Sequence, residues 1–248
     1  MSLLRKVTSA TKMAVLLPFH GLKQHRLMRK RYLQKQPAVG AIPYELLLHD
    51  RYWESHLGLD TSGWVPVELD DGMLYEATPY LLLYEILRHL DLGANDVFVD
   101  LGCGKGRATC MAARSAAGHV VGVEQDEGFL QIARDNLSKV PKKQAQVEFF
   151  HGLAQDFDFD DTTVVFLFNP FGARTLQEVV EMLQKSLQRK SRKLRIVYVN
   201  PVHEKVLKDT EWLENVTTWQ SDSYPEFAIQ PPNPRMVSFW QAKSSAGA

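Results

Sequence analysis

Val97-Phe98-Val99-Asp100-Leu101-Gly102-Cys103-Gly104-Lys105-Gly106-Arg107 is the stretch that decides the fold of this chain. Val97 to Leu101 is short, β-branched and aromatic, the composition of a buried parallel strand. Gly102, Gly104 and Gly106 then permit positive φ and let bare backbone approach a ligand where any Cβ would collide. Ala108, Met111, Ala112 and Ala113 are good helix formers, so a helix is expected at once, delivering unpaired N-terminal amides above the strand. Strand, glycine loop and helix in that order read as the site of a nucleotide-like ligand.

The spacing of the glycines separates the ligand classes. The phosphate-cradling loop of nucleotide hydrolases needs a hydroxyl after its Lys, but Lys105 is followed by Gly106. A dinucleotide fingerprint wants its third glycine at 107, where this chain has Arg107. What remains, Asp-x-Gly-x-Gly-x-Gly, resembles the first motif of the class I S-adenosylmethionine (SAM) dependent methyltransferases. A second apolar strand, His119 to Glu124, precedes an amphipathic helix carrying Phe129, Leu130, Ala133 and Leu137 on one face, which completes a βαβ unit. Glu124 lies about 20 residues beyond the glycines, the offset at which a strand-end carboxylate accepts hydrogen bonds from both ribose hydroxyls.

Val147–Phe150, Thr163–Phe168 and Leu194–Val199 are further strands. Leu176, Val179, Val180, Leu183 and Leu187 have the spacing of a helix that covers a sheet. Asn215–Trp219 and Arg235–Trp240 suggest an antiparallel pair. The expected fold class is α/β, a doubly wound, mostly parallel seven-stranded sheet with a terminal antiparallel hairpin and a helical N-terminal extension. The strand order 3-2-1-4-5-7-6, with SAM across the carboxyl ends of the strands, is what the methyltransferase resemblance implies.

Thr78 followed by Pro79 reads as a helix start, a hydroxyl N-cap and then a fixed φ, and the helix after it is apolar nearly all round. Here the chain resembles the non-SET histone lysine methyltransferases, and that resemblance implies that Tyr75 and Thr78 close over the methionine end of SAM. It continues at Asn169-Pro170-Phe171-Gly172, where amino-group methyltransferases hold a target nitrogen near the methyl. An amide oxygen and a backbone carbonyl there accept the amine's hydrogens while an aromatic face packs on the substrate. The resemblance thus gives Asn169, Pro170 and Phe171 as catalytic residues, and Asp100, Gly102, Gly104, Gly106, Glu124 and Asn169 as cofactor contacts. Leu153 stands where an acid often takes the adenine amino group, so backbone groups of Leu153 and Ala154 with apolar packing are expected instead, and Gln155 or Asp156 is a candidate polar contact. His151 and His203 are candidate general bases. A group of bacterial class I methyltransferases shares Asp60-Thr61-Ser62-Gly63 and Asn169-Pro170-Phe171 with this chain.

Methyl transfer from a sulfonium requires alignment and a deprotonated nucleophile, so no metal is expected. The chain has 248 residues, balanced charge and two cysteines, Cys103 and Cys110, read as small buried thiols in a reducing cytoplasm. From Met1 to Tyr44 no acid occurs while nine Lys and Arg accumulate. This basic arm reads as a solvated extension, or a dock for an acidic partner or a membrane surface; its short apolar run, broken by Pro18, cannot span a bilayer. Nothing signals nucleic acid strongly. Residues 1–44 are read as the arm, 45–96 as a helical, substrate-capping segment and 97–242 as the SAM-binding core. The expected function is methyl transfer to an amine nitrogen of a small molecule or a protein side chain. Alternatives are an O-directed small-molecule enzyme, a non-catalytic SAM-binding scaffold and, more distantly, an NAD-linked oxidoreductase. A cytoplasmic location, with the arm at a membrane periphery, accompanies that reading.

Overall fold

In the computed structural model, which describes residues 44–63, 75–219 and 236–244, seven strands form a single sheet. They are β1 (Val97–Leu101), β2 (His119–Glu124), β3 (Gln146–His151), β4 (Val164–Leu167), β5 (Arg195–Val199), β6 (Leu213–Trp219) and β7 (Val237–Ala242). The order is β3-β2-β1-β4-β5-β7-β6, as expected. β1 to β5 pair in parallel, and β7 runs antiparallel to both β5 and β6.

Alternation along the strands builds two apolar layers. Phe98, Val120, Val164, Phe166, Val197 and Phe239 face one way, toward α1 (Tyr44–Leu57), α2 (Tyr80–Leu90) and α3 (Arg107–Ala112). Leu137 of α4 (Glu127–Lys139) packs on that same cluster. Val99, Leu101, Val121, Val165, Ile196 and Tyr198 face the other way, toward α5 (Ala173–Arg189) and the short α6 (Glu204–Lys208). Leu176, Val179, Val180, Leu183 and Leu187 of α5 are all buried, so the helical stripe in the sequence meets the sheet as anticipated. The helices that precede β1 share the core of the sheet: Leu57, Tyr80, Leu83 and Ile86 belong to the same cluster as Phe98 and Val120.

Thr78 is not the N-cap of α2. The helix starts at Tyr80, its cap position is Pro79, and no side chain of that segment caps it. Instead Asp50, reaching across from α1, accepts the Tyr80 N–H through Oδ1 at 2.9 Å. A charged acceptor from a neighbouring helix satisfies the orphan donor, and local sequence could not show that a residue so distant in the chain would arrive there. The basic arm before Tyr44 lies outside the described residues. Among those described, no helix is long and apolar enough to cross a membrane.

Candidate active site

Parallel register brings the ends of β1, β2, β3 and β4 to one edge, with Leu101 beside Val123 and Leu167, and Glu124 beside His151. The glycine loop crosses this edge with Gly102 at φ 68° and Gly104 at φ 53°, the left-handed region that favours glycine. A Cβ on Gly102 would fall 2.3 Å from Pro170 Cβ, and one on Gly104 2.3 Å from Tyr75 Cε2. The loop is therefore bare because Pro170 lies over one glycine and the Tyr75 ring over the other. Tyr75 also packs on Phe129, with ring centroids 4.9 Å apart, and donates its hydroxyl to Thr61 O at 2.7 Å. Residues 75, 102, 104 and 170, far apart in sequence, meet at one place.

Four amides of the loop are taken up within the fold. Gly102 N and Cys103 N both donate to Val123 O at 2.9 Å, and Gly106 N donates to Cys103 O at 2.8 Å. Gly104 N donates to Glu124 Oε2 at 2.9 Å, while Glu124 Oε1 accepts from Gln125 N and Asp126 N. Close approach of the loop to β2 lets the strand's own groups take these donors. What the edge does offer is carboxylate. Asp100 is buried at the end of β1, and its Oδ2 accepts Thr109 N at 3.0 Å and Thr109 Oγ1 at 2.8 Å, which ties the first turn of α3 to the strand. Burial pushes the Asp100 pKa up to about 7 and raises that of half-buried Glu124 too. Among the described residues neither acid has an ion pair.

Leu153 is 46 % exposed where β3 leaves the sheet, and Ala154 beside it is buried. Gln155 is committed elsewhere, donating to Glu178 Oε2 at 2.9 Å, whereas Asp156 is exposed. His151 is exposed and held between Gln125 O and Glu127. Asn169 has φ 47° and is buried, and its Oδ1 accepts the Tyr198 hydroxyl at 3.0 Å. Phe171 is buried in the apolar layer under α5, so its ring is core. His203 meets this group through its backbone, donating its N–H to the Tyr198 hydroxyl oxygen at 3.3 Å. Cys103 and Cys110 are buried free thiols, as read from the sequence.

Sequence reasoning missed the residue that organises the back of the loop. Arg107 is 4 % exposed, and Nη1 donates to Asp50 Oδ2 at 2.5 Å and to Thr78 O at 3.1 Å. Its Nε donates to Thr61 Oγ1 at 2.7 Å, and Nη2 to Glu54 Oε1 and Ser62 Oγ at 3.2 and 3.3 Å. The guanidinium lies over the Tyr80 ring, 4.3 Å from its centroid. Burial is the largest single influence and would depress its pKa, but Asp50, Tyr80, Glu54 and Tyr75 together outweigh it and the net shift is upward. Asn136 on α4 adds a second clamp, pairing with both backbone groups of Asp60 and with Lys105 O. The Asp60-Thr61-Ser62-Gly63 segment is thus sewn onto the glycine loop from behind. The only sequence signal was the presence of Arg where a dinucleotide site wants glycine.

Residues 98–190 match the model of a methyltransferase domain family. Curated relatives include demethylmenaquinone methyltransferases of Shouchella clausii, 24% identical over 103 residues, and of Bacillus cereus, 27% identical over 103 residues. The match spans 41% of this chain and 43% of those relatives, so less than half of their length is represented. In solved structures, the fold is similar to an RNA methyltransferase of Salinibacter ruber in complex with S-adenosylhomocysteine, with TM-score 0.53 and 24% identity over 68% of this chain and 95% of that one. It is also similar to a putative RNA methyltransferase of Pyrococcus horikoshii, with TM-score 0.53 and 17% identity over 78% of this chain and 98% of that one. This is a class I methyltransferase fold.

SAM is the cofactor that the methyltransferase match implies, and the residues present fit it. SAM carries a sulfonium and an ammonium beside a ribose diol and an adenine. Two carboxylates without a cationic partner suit its positive charges and hydroxyls, and an exposed leucine at the end of β3 suits an apolar base. A phosphate-bearing dinucleotide fits less well, because the amides of Gly102, Cys103, Gly104 and Gly106 are occupied and two acids, Asp100 and Glu124, flank the loop. The Arg107 cluster ties the glycine loop to Asp50, Glu54, Thr61, Ser62 and Thr78.

Proposed function

We propose that the chain acts as a SAM-dependent methyltransferase whose acceptor sits at the Asn169-Pro170 turn. The observation that carries this reading is the contact of Pro170 with Gly102, which sets the turn after β4 directly on the cofactor loop. In this reading Glu124 takes the ribose hydroxyls, Leu153 and Ala154 take the adenine, and Asp100 with the loop glycines lies near the methionine part. Tyr75 and Thr78 close that end, in the manner implied by the resemblance to the non-SET histone lysine methyltransferases. SAM when bound supplies an electrophilic methyl: the acceptor's lone pair forms the new bond to carbon as the C–S electron pair passes to sulfur.

The protein's part is to orient the acceptor and to keep water out. An amine acceptor would use the second lone pair of Asn169 Oδ1, and an oxygen acceptor would use Nδ2; the Tyr198 hydroxyl on Oδ1 favours the second. Substrate identity, small molecule or protein side chain, belongs to the same proposal. So does docking of the basic arm on an acidic partner or membrane, which liposome co-sedimentation with and without residues 1–35 would test. Parallel calorimetric titrations with SAM and NAD test the cofactor, with SAM binding alone expected. Formation of S-adenosylhomocysteine with a panel of amines, phenols and carboxylates tests the enzyme, and SAM binding with no turnover on any acceptor would leave a scaffold protein instead.

A further inference from the structure

Asn169 is not the only asparagine of its kind on this edge. β4 ends in Asn169-Pro170 and its neighbour β5 ends in Asn200-Pro201, and both asparagines are left-handed, with φ 47° and 50°. The second turn continues into Val202, which donates its N–H to Asn200 O at 2.8 Å and leaves its side chain 59 % exposed. Between the twin turns lies Tyr198, with no exposed surface.

The direction of the hydrogen bonds follows from one fixed donor. His203 N–H can only donate, and it donates to the Tyr198 oxygen at 3.3 Å. The single hydroxyl proton of Tyr198 then goes to Asn169 Oδ1 at 3.0 Å. Were the amide turned round, the Tyr198 oxygen would accept two donors and its own proton would be left without an acceptor in a sealed place. Oδ1 is therefore committed inward, and Nδ2 is the group that Asn169 has to offer. No hydrogen bond to Nδ2 is seen among the described residues, and Nδ2 is not among the sealed polar atoms that lack a partner.

We infer that the methyl acceptor is an anionic oxygen, a phenolate or enolate, held by Asn169 Nδ2, with Tyr198 as the positioning residue that sets this polarity. An amine brings donors to a donor, whereas an oxygen anion brings the lone pairs that Nδ2 lacks. The acceptor arrives deprotonated, its proton already lost to solvent, so no protein base is required. This rests on the methyltransferase reading above and narrows its acceptor from amine to oxygen.

The full chain loaded with S-adenosylhomocysteine is titrated with p-nitrophenolate and with benzylamine, probes of similar size and opposite hydrogen-bonding character. Expected is a preference of about tenfold or more for the phenolate, with its ionisation, followed by absorbance, moved to lower pH on the protein. Tyr198→Phe should abolish the preference while SAM affinity stays within about twofold of the parent, and Asn169→Asp should reverse the preference. The SAM affinity of Tyr198→Phe separates polarity from a general loss of structure. Equal affinity for the two probes, absence of binding by both included, overturns the inference, as does a preference that survives both substitutions. If SAM itself does not bind the parent chain, it is the methyltransferase reading that fails.

Discussion

Arg107 and Asp100 stand at the two ends of the same glycine loop, and the chain treats their charges in opposite ways. Arg107 is surrounded: two carboxylates, a backbone carbonyl, two hydroxyl groups and an aromatic face meet its guanidinium. Asp100 receives only Thr109, and Glu124 beyond the loop receives only backbone N–H groups. On one side of the loop pairing outweighs desolvation for Arg107, although burial still raises its partner Asp50; on the other side desolvation raises both acids with no cation to oppose it. A buried charge that is fully paired holds the architecture. In the proposed reading, a buried charge without its counter-ion is kept for a ligand that brings one.

The sharpest way to break this contrast is to remove the paired cation. Arg107→Met should destabilise the protein by about 3–5 kcal/mol, because Asp50 and Glu54 would remain buried without a partner, and urea denaturation would read it. Since Asp50 also caps α2, the damage should spread to that helix and appear as lost hydrogen-exchange protection from Tyr80 onward. A loss under about 1 kcal/mol would mean that the cluster merely balances its own desolvation. On the other side Glu124→Gln should leave stability within about 1 kcal/mol but weaken SAM by roughly 2 kcal/mol, measured by calorimetry. Equal SAM affinity in parent and Glu124→Gln would remove the ribose from Glu124.

Most of the sheet was legible in the chain because each strand and its covering helix are local patterns. β1 and its loop, the stripe on α5 and the terminal pair were all readable from neighbours in sequence. The site was legible where it is carried by one strand end at a time, as with Asp100, Glu124 and Asn169. What could not be read is every partnership made across the fold. Asp50 capping Tyr80, Arg107 holding Thr61, Asn136 holding Asp60 and Tyr198 turning the Asn169 amide each join residues whose spacing carries no period. Phe171, which the motif gave as a catalytic residue, is packed in the apolar layer under α5, an arrangement the motif did not show. A motif states which residue types gather at a strand end, but not which way each side chain turns.

Asp100 gives the contrast a pH signature. Its pKa is about 7 in the folded protein against an ordinary 3.8, so the folded state binds the proton more tightly than the unfolded chain. The contribution of this group is therefore most favourable below pH 3.8, falls as pH rises from about 4 to 7, and is level above 7. Asp100→Asn keeps an acceptor for Thr109 and lacks that slope. It should stabilise the ligand-free protein by about 4 kcal/mol near pH 8 and leave it nearly unchanged near pH 4, in paired denaturation curves. SAM, being cationic, selects the ionised carboxylate, so its affinity for the parent chain should rise between about pH 6 and 8 and that rise should vanish in Asp100→Asn. Parallel curves for parent and variant would show that Asp100 does not hold the loop's uncompensated charge.

The smallest effect concerns Thr78, which lies between the two regimes: its carbonyl belongs to the Arg107 cluster while its hydroxyl is assigned to the ligand. A true N-cap hydroxyl is worth about 1 kcal/mol, whereas a hydroxyl that caps nothing costs little when replaced by an isosteric methyl. Asp50 already caps α2 and the Arg107 bond runs to the Thr78 backbone, so Thr78→Val should shift stability by less than about 0.5 kcal/mol. The same variant discriminates between the two sides of the loop. Weaker SAM binding at unchanged stability places the hydroxyl with Asp100 and Glu124 as a group held for the ligand, while lost stability at unchanged SAM affinity assigns it to the framework that Arg107 ties together.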